Sequence, residues 1–231
     1  MSVGSDARGL RSALPAMGLA VVIGLAAGCG RDAADQEYFA VLGGDETGMS
    51  ESEMRARMDR AIALAPERAA YWQKRAGLRV GAGDLAGAEA DLDRAIQLRD
   101  RPFLRFERGL VRARRGDFEA ARDDLDAAIA AQPDNTQFYR GRALVLVALG
   151  EAPAARADAD RLIEREPRHG ESFYVRGRAL ALVGRHAEAV ADYDEALRRR
   201  PDLYYVLRAR AVSKIAPPLG MGMTARGFCR R

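Results

Sequence analysis

A chain of 231 residues, 48% apolar and 30% charged, is long enough to bury a core and too charged to lie in a membrane throughout. The formal net charge of +4 is a mild excess. The densest cationic runs, Arg112, Arg114 and Arg115 and then Arg198 to Arg200, are interleaved with acids and form no basic stripe with stacking aromatics, which argues against a nucleic-acid surface.

Ala, Leu, Arg, Asp and Glu dominate, and these mostly unbranched side chains lose little rotamer freedom in a helix, so an all-α protein is expected. The two cysteines, Cys29 and Cys229, sit near opposite ends, which argues against a disulfide between them. With two histidines and scattered carboxylates they give no zinc-ligand spacing, so no metal and no cofactor are expected.

The first 28 residues read as an export signal rather than as part of the fold. Arg8 and Arg11 form a positive start, and an apolar run of 14 residues follows from Leu14 to Ala27. A membrane span needs about 20, whereas a signal peptide needs a run of this length. The run ends Leu25-Ala26-Ala27-Gly28-Cys29. Small residues directly before a lone Cys resemble the lipobox of bacterial lipoproteins, although Leu25 stands one place early and Ala26 occupies the position where Leu is commoner. The resemblance implies removal of residues 1–28 and acylation of Cys29, with Gly30 implying transfer to the outer membrane. The alternatives are an ordinary cleaved signal with an incidental Cys, or an uncleaved anchor. Two or more acyl chains make attachment stable, whereas one does not. Residues 29–37 read as a tether.

A short helix around Asp35–Leu42 comes next. Ser50-x-x-Glu53 is a capping box that opens a second helix ending at Pro66. Together, over 38–68, they read as a degenerate first copy of a repeat that becomes regular further along the chain.

From residue 69 the chain repeats itself. Arg75-Ala76, Arg108-Gly109, Arg142-Ala143, Arg176-Gly177 and Arg210-Ala211 recur at spacings of 33, 34, 34 and 34. A turn follows each of the first four: Gly83-Asp84, Gly116-Asp117, Gly150-Glu151 and Gly184-Arg185. Then come a small residue (Ala88, Ala121, Ala155, Ala189), an Asp (Asp91, Asp124, Asp158, Asp192) and, in most units, a closing proline (Pro133, Pro167, Pro201). Gly ends one helix and Pro stops the next, so each unit is a helical hairpin. The small residues should let the two helices of a hairpin approach, Gly109 against Ala121 and Gly177 against Ala189. A single hairpin cannot bury its apolar face, so the units must stack.

At this period and pattern the body resembles the tetratricopeptide repeat (TPR). Four repeats fall at 69–101, 102–135, 136–169 and 170–203, and 204–216 resembles the solvating helix that closes such arrays. Pro217-Pro218 ends it, and 217–231 reads as a disordered tail. The fold expected is an α-solenoid of stacked helix–turn–helix repeats.

Arg75, Arg108, Arg142 and Arg176 each stand sixteen residues before Asp91, Asp124, Asp158 and Asp192. The degenerate repeat has Val41 and Arg57 instead, lacking both together. Structural ion pairs are therefore expected, because a charge inside a helix stack is tolerated only when paired. Two geometries stay open, within one repeat or with the Asp of the repeat before.

The resemblance implies a concave groove lined by the first helix of each repeat. Its candidate peptide-binding residues are Phe106, Leu110, Arg114, Arg140, Leu144, Val147, Tyr174, Arg178 and Arg208, with Gln73, Gly77, Val80, Ala113, Ala181 and Val212 in the same register. Gln73 and Gly77 stand where the carboxylate-clamp subfamily has Lys and Asn, which argues against that clamp. No phosphate-cradling loop, nucleophile elbow or metal motif is present, so protein or peptide partners are expected rather than catalysis or a small-molecule substrate. The leading expectation is a lipid-anchored periplasmic adaptor at the outer membrane. The alternative is a soluble exported module that binds an anionic envelope component through its arginines.

Overall fold

The computed structural model describes residues 33–43 and 48–216, which hold eleven α-helices and no strand. The stretch 1–28 read as an export signal, Cys29 and the stretch 217–231 lie outside the described residues. The chain divides into two compact units, Met1–Glu67 and Arg68–Arg231.

In the first unit, α1 spans 33–42 and α2 spans Glu51–Leu64. Ser50 caps α2, its Oγ accepting from the Glu53 amide at 3.2 Å, which satisfies one of the orphan donors of the first turn. Met54, Met58, Ala61 and Ile62 are buried along one stripe of α2. Glu37 of α1 takes hydrogen bonds from Arg57 and Arg60 of α2, and these arginines hold its carboxyl below the ordinary range. Helix thus begins at 33, inside the stretch 29–37 read as a tether. The polar residues there cover one face, while Ala34 and Val41 are buried on the other. A face built on alanine is too weakly apolar to announce itself in sequence.

The second unit is four helical hairpins and a last helix. The hairpins are α3 (Ala69–Gly81) with α4 (Leu85–Leu98), α5 (Pro102–Arg115) with α6 (Phe118–Ala131), α7 (Thr136–Leu149) with α8 (Ala152–Arg165), and α9 (Gly170–Leu182) with α10 (His186–Arg199). The last helix, α11, is Tyr204–Ile215. Gly83, Gly116, Gly150 and Gly184 each take positive φ, between 73° and 94°. That left-handed conformation turns the chain from first to second helix and strains any side-chain-bearing residue.

Within each hairpin the backbones meet at the small residues. Ala88, Ala121, Ala155 and Ala189 are fully buried. A Cβ on Gly109 would stand 3.1 Å from the Ala121 carbonyl, and one on Gly177 2.6 Å from the Tyr193 ring. Between hairpins the core is continuous. Ala76, Ala88 and Leu92 pack with Leu104 and Val111 of the next repeat. Ala128 and Ile129 pack with Phe138 and Tyr139, and Ala189, Tyr193 and Ala196 with Leu203 and Val206 of α11. Every unit therefore depends on a neighbour for its core.

Helix α11 buries Val206 and Ser213. It leaves Tyr204, Val212 and Ile215 more than half exposed, so the closing helix is more apolar outside than a solvating cap requires.

Candidate functional site

Two sets of side chains lie on the first helices. One faces the second helices and sets the geometry of the stack. The other is the set expected to line a groove.

The inward set is the Arg–Asp ladder. Arg75, Arg108, Arg142 and Arg176 each reach the Asp sixteen residues on in a fork, Nε to Oδ2 at 2.8–2.9 Å and Nη2 to Oδ1 at 2.6–2.7 Å. Planar guanidinium matched to carboxylate in this way is the strong, orienting form of the contact. The four aspartates are all buried. The paired carboxylates hold the guanidinium groups of Arg108, Arg142 and Arg176 even further above neutrality than usual. The fork therefore closes within a repeat.

The remaining Nη1 bridges to the repeat before. Arg108 donates to Asp93 at 2.6 Å, Arg142 to Asp126 at 2.7 Å, Arg176 to Asp160 at 3.0 Å and Arg210 to Asp194 at 2.6 Å. The bridging group is thus the Arg, and its second partner is a different Asp. These four aspartates were not among the candidates from sequence, although each stands two residues after a ladder Asp, so an Asp-x-Asp recurs at the repeat period. Aromatics three residues before the ladder arginines add to the hold. Arg75 lies over Trp72, Arg142 over Tyr139 and Arg176 over Phe173, at 4.9–5.5 Å from the ring centres, within cation–π range.

The groove set is less open than its register implies. Leu110 and Leu144 are exposed, and so are Arg114 and Arg208. Val147 is 3% exposed and packs with Ala155 and Ala179, so it belongs to the core and not to a binding surface. Phe106 is half-buried. Its ring meets Phe138 at 5.1 Å between centres and Phe103 at 5.6 Å, and a Cβ on Gly141 would touch it at 3.1 Å. Tyr174 stacks edge-on to Tyr205 at 4.8 Å and receives the Arg178 Nη1 hydrogen bond at 2.9 Å. Both aromatics therefore cement neighbouring repeats and offer only part of their rings to a partner. Arg140 is engaged too, donating to Glu166 at 2.7 Å with Glu171 at 3.9 Å. Of the four groove arginines, only Arg114 and Arg208 make no ion pair or hydrogen bond among the described residues.

A cavity of about 240 Å³ opens between α3 and α5, lined by Gln73, Gly77, Val80, Glu107, Leu110 and Arg114, with Ala76, Leu92 and Val111 beneath. Gln73 Nε2 donates to Glu107 Oε2 at 2.7 Å. Burial pushes the Glu107 carboxyl up, with that hydrogen bond as the only opposing effect. Glu107 was not a candidate from sequence because it stands one residue past the groove register.

Among the described residues no group of three or more His, Cys, Asp or Glu is arranged to hold a metal, and no helix is long and apolar enough to cross a membrane.

A profile of the tetratricopeptide repeat matches residues 106–161 and 142–204, which take in the second, third and fourth hairpins. The repeat body is a TPR array. Solved structures share the fold. YrrB, described as a TPR protein with an unusual peptide-binding site, is 20% identical over 75% of this chain and 89% of its own, with a TM-score of 0.63. A TPR protein of Parabacteroides merdae ATCC 43184 is 14% identical over 79% and 72%, with a TM-score of 0.70. MamA is 19% identical over 79% and 96%, with a TM-score of 0.63. At these identities the likeness concerns the TPR fold alone. No curated protein matches the chain.

Proposed function

We propose that this chain is a lipid-anchored adaptor of the cell envelope that docks peptide segments of partner proteins in the groove of its TPR body. The observation that carries the docking role is the exposure of two large apolar side chains in the expected groove register. Exposed Leu110 and Leu144 lie in one register of consecutive first helices, with half-buried Phe106 and Tyr174 on first helices too, exposed Arg114 one turn beyond Leu110 and exposed Arg208 on α11. Apolar side chains left open, with free cations further along the same array, suit a segment that carries apolar and acidic residues. The absence of nucleophile and phosphate-loop motifs agrees with a scaffold.

Anchoring rests on the ordered signal before Cys29: positive start, short apolar run, small residues, then Cys. This order supports export and acylation.

Five arginines are withdrawn from the arginine-based alternative. Arg75, Arg108, Arg142 and Arg176 are each consumed by two hydrogen bonds to a buried Asp, and Arg140 by Glu166. The discriminating experiment is capture of partners from solubilised envelopes with the full chain and with Leu144→Arg as bait, at low and high salt. Groove docking predicts partners that survive salt and are lost with Leu144→Arg. Partners lost with salt and indifferent to Leu144→Arg would support the electrostatic alternative instead.

A further inference from the structure

The first helices place Gly77, Leu110, Leu144, Arg178 and Val212 in one groove register, at spacings of 33, 34, 34 and 34. Gly77 alone has no side chain. A Cβ built there meets nothing within 4 Å, so neither backbone approach nor a turn demands glycine. What glycine leaves is room, the cavity of about 240 Å³ beside it.

The chemistry of the cavity is uneven. Buried Ala76, Leu92 and Val111 form the floor, and Val80 and Leu110 add apolar walls. Glu107 supplies the one carboxylate of the lining. Elsewhere in this chain half-buried carboxylates face arginine: Glu37 meets Arg57 and Arg60, Glu89 meets Arg112 and Arg115, and Glu166 meets Arg140. Glu107 has the Gln73 amide and, among the described residues, no cation. A neutral donor does not replace the water removed from a carboxylate, and that imbalance is why its carboxyl is held above the ordinary range.

We infer that the Gly77 cavity is a subsite for the cationic side chain, lysine or arginine, of the peptide docked in the groove. The inference rests on groove docking as proposed for this chain. A lysine or arginine brings an apolar stem for Val80, Leu110 and Val111 together with a charged head for Glu107. An apolar side chain fills the space and leaves the carboxylate unanswered. An acidic one is repelled. Arg114 lines the same cavity but stands seven residues along α5 from Glu107, about 10 Å of helix axis, so the cation seats at the Glu107 end and an acidic neighbour meets Arg114. Opposite charges in that order fix the register of the peptide, beyond what an apolar strip specifies.

The test is panning of a random phage-displayed peptide library against the detergent-solubilised full chain. Selected peptides are labelled and titrated by fluorescence anisotropy against wild type, Gly77→Leu, Glu107→Gln and Leu144→Arg, with circular dichroism on each. Leu already occupies this register at 110 and 144 and favours helix over Gly, so Gly77→Leu fills the cavity without disturbing the fold. Peptides weakened by Leu144→Arg are the groove binders. They are expected to carry a Lys or Arg whose replacement by norleucine costs at least tenfold in affinity. Gly77→Leu should cost as much, and Glu107→Gln should abolish the lysine-over-norleucine preference. Groove binders that take norleucine equally well, or that bind Gly77→Leu as they bind wild type, would overturn the subsite while groove docking stands. If no selected peptide responds to Leu144→Arg, groove docking fails and the subsite falls with it. Should Gly77→Leu lose helix, the norleucine and Glu107→Gln comparisons decide alone.

Discussion

Arg142 grips Asp158 through two parallel hydrogen bonds, Nε to Oδ2 at 2.8 Å and Nη2 to Oδ1 at 2.7 Å. The Asp158 side chain is 7% exposed and the Arg142 side chain 23%, so the pair is largely out of water and has little to gain from solvent if either partner is lost. The analogous Arg108–Asp124 pair differs in one respect. Arg112, one turn further along α5, places Nη1 2.9 Å from Asp124 Oδ2, whereas Leu146 occupies the matching place beside Asp158. Arg142→Met should therefore cost about 3 kcal/mol, the low end for stranding a buried charge. Arg108→Met should cost clearly less, because Arg112 remains. Urea unfolding followed by circular dichroism checks both. Equal losses would mean that the second arginine gives no support.

The inter-repeat arm of the ladder is more exposed and worth less. Asp126 is 48% exposed where it meets Arg142 at 2.7 Å. Asp126→Asn should cost under about 1 kcal/mol, with the difference vanishing in high salt. A loss matching that of Arg142→Met would place the coupling between repeats in the charges rather than in the shared apolar core.

Much of this architecture was legible because it depends on residues that punctuate or pair at a fixed period. Gly83, Gly116, Gly150 and Gly184 end first helices, prolines end second helices, and Arg and Asp sixteen apart mark opposite walls of one hairpin. The second arm of each arginine was equally visible as Asp-x-Asp, but the forked reach of guanidinium to two carboxylates had to be seen. The groove was less legible. How far neighbouring first helices lean together depends on facing side chains from two repeats. Gly141 admits one edge of the Phe106 ring and so turns part of it towards the next repeat, while Gly77 leaves a gap. The same residue type has opposite consequences at these two places, and spacing alone does not separate them.

Phe106 and Leu144 should behave differently when shortened. Phe106 packs on Phe138, so Phe106→Ala should destabilise by about 2 kcal/mol, less than the 3–5 of a fully buried ring, and weaken partner binding as well. Leu144 is 42% exposed, and Leu144→Ala should change stability by under about 0.5 kcal/mol while lowering affinity. Unfolding and binding measured on the same preparations separate the two effects. Unchanged binding with Leu144→Ala would remove it from the docking surface.

Cys29 is expected to be the mature, acylated N-terminus. Mass spectrometry of the protein from membranes should find a chain starting at Cys29 with acyl mass added, and Cys29→Ser should move the protein to the soluble fraction. Retention of the serine variant in membranes without lipid would favour an uncleaved anchor.

Glu107→Gln should stabilise the fold at neutral pH while impairing the recognition proposed for it. Burial raises the Glu107 carboxyl above its ordinary 4.5, so the folded state binds that proton more tightly than the unfolded chain. Below the ordinary value both states are protonated and Glu107 carries no pH-dependent penalty. As pH rises, the unfolded chain ionises first, and stability falls until the folded carboxyl has ionised too. Gln cannot ionise and keeps a carbonyl oxygen to accept from Gln73 (donor and acceptor simply match). The variant should therefore unfold at a higher temperature than wild type at pH 7, with the gap narrowing as pH falls towards 4. A variant less stable than wild type at pH 7 would mean that the carboxylate already has its compensation within the fold, and the reason to seek a cation for it would disappear.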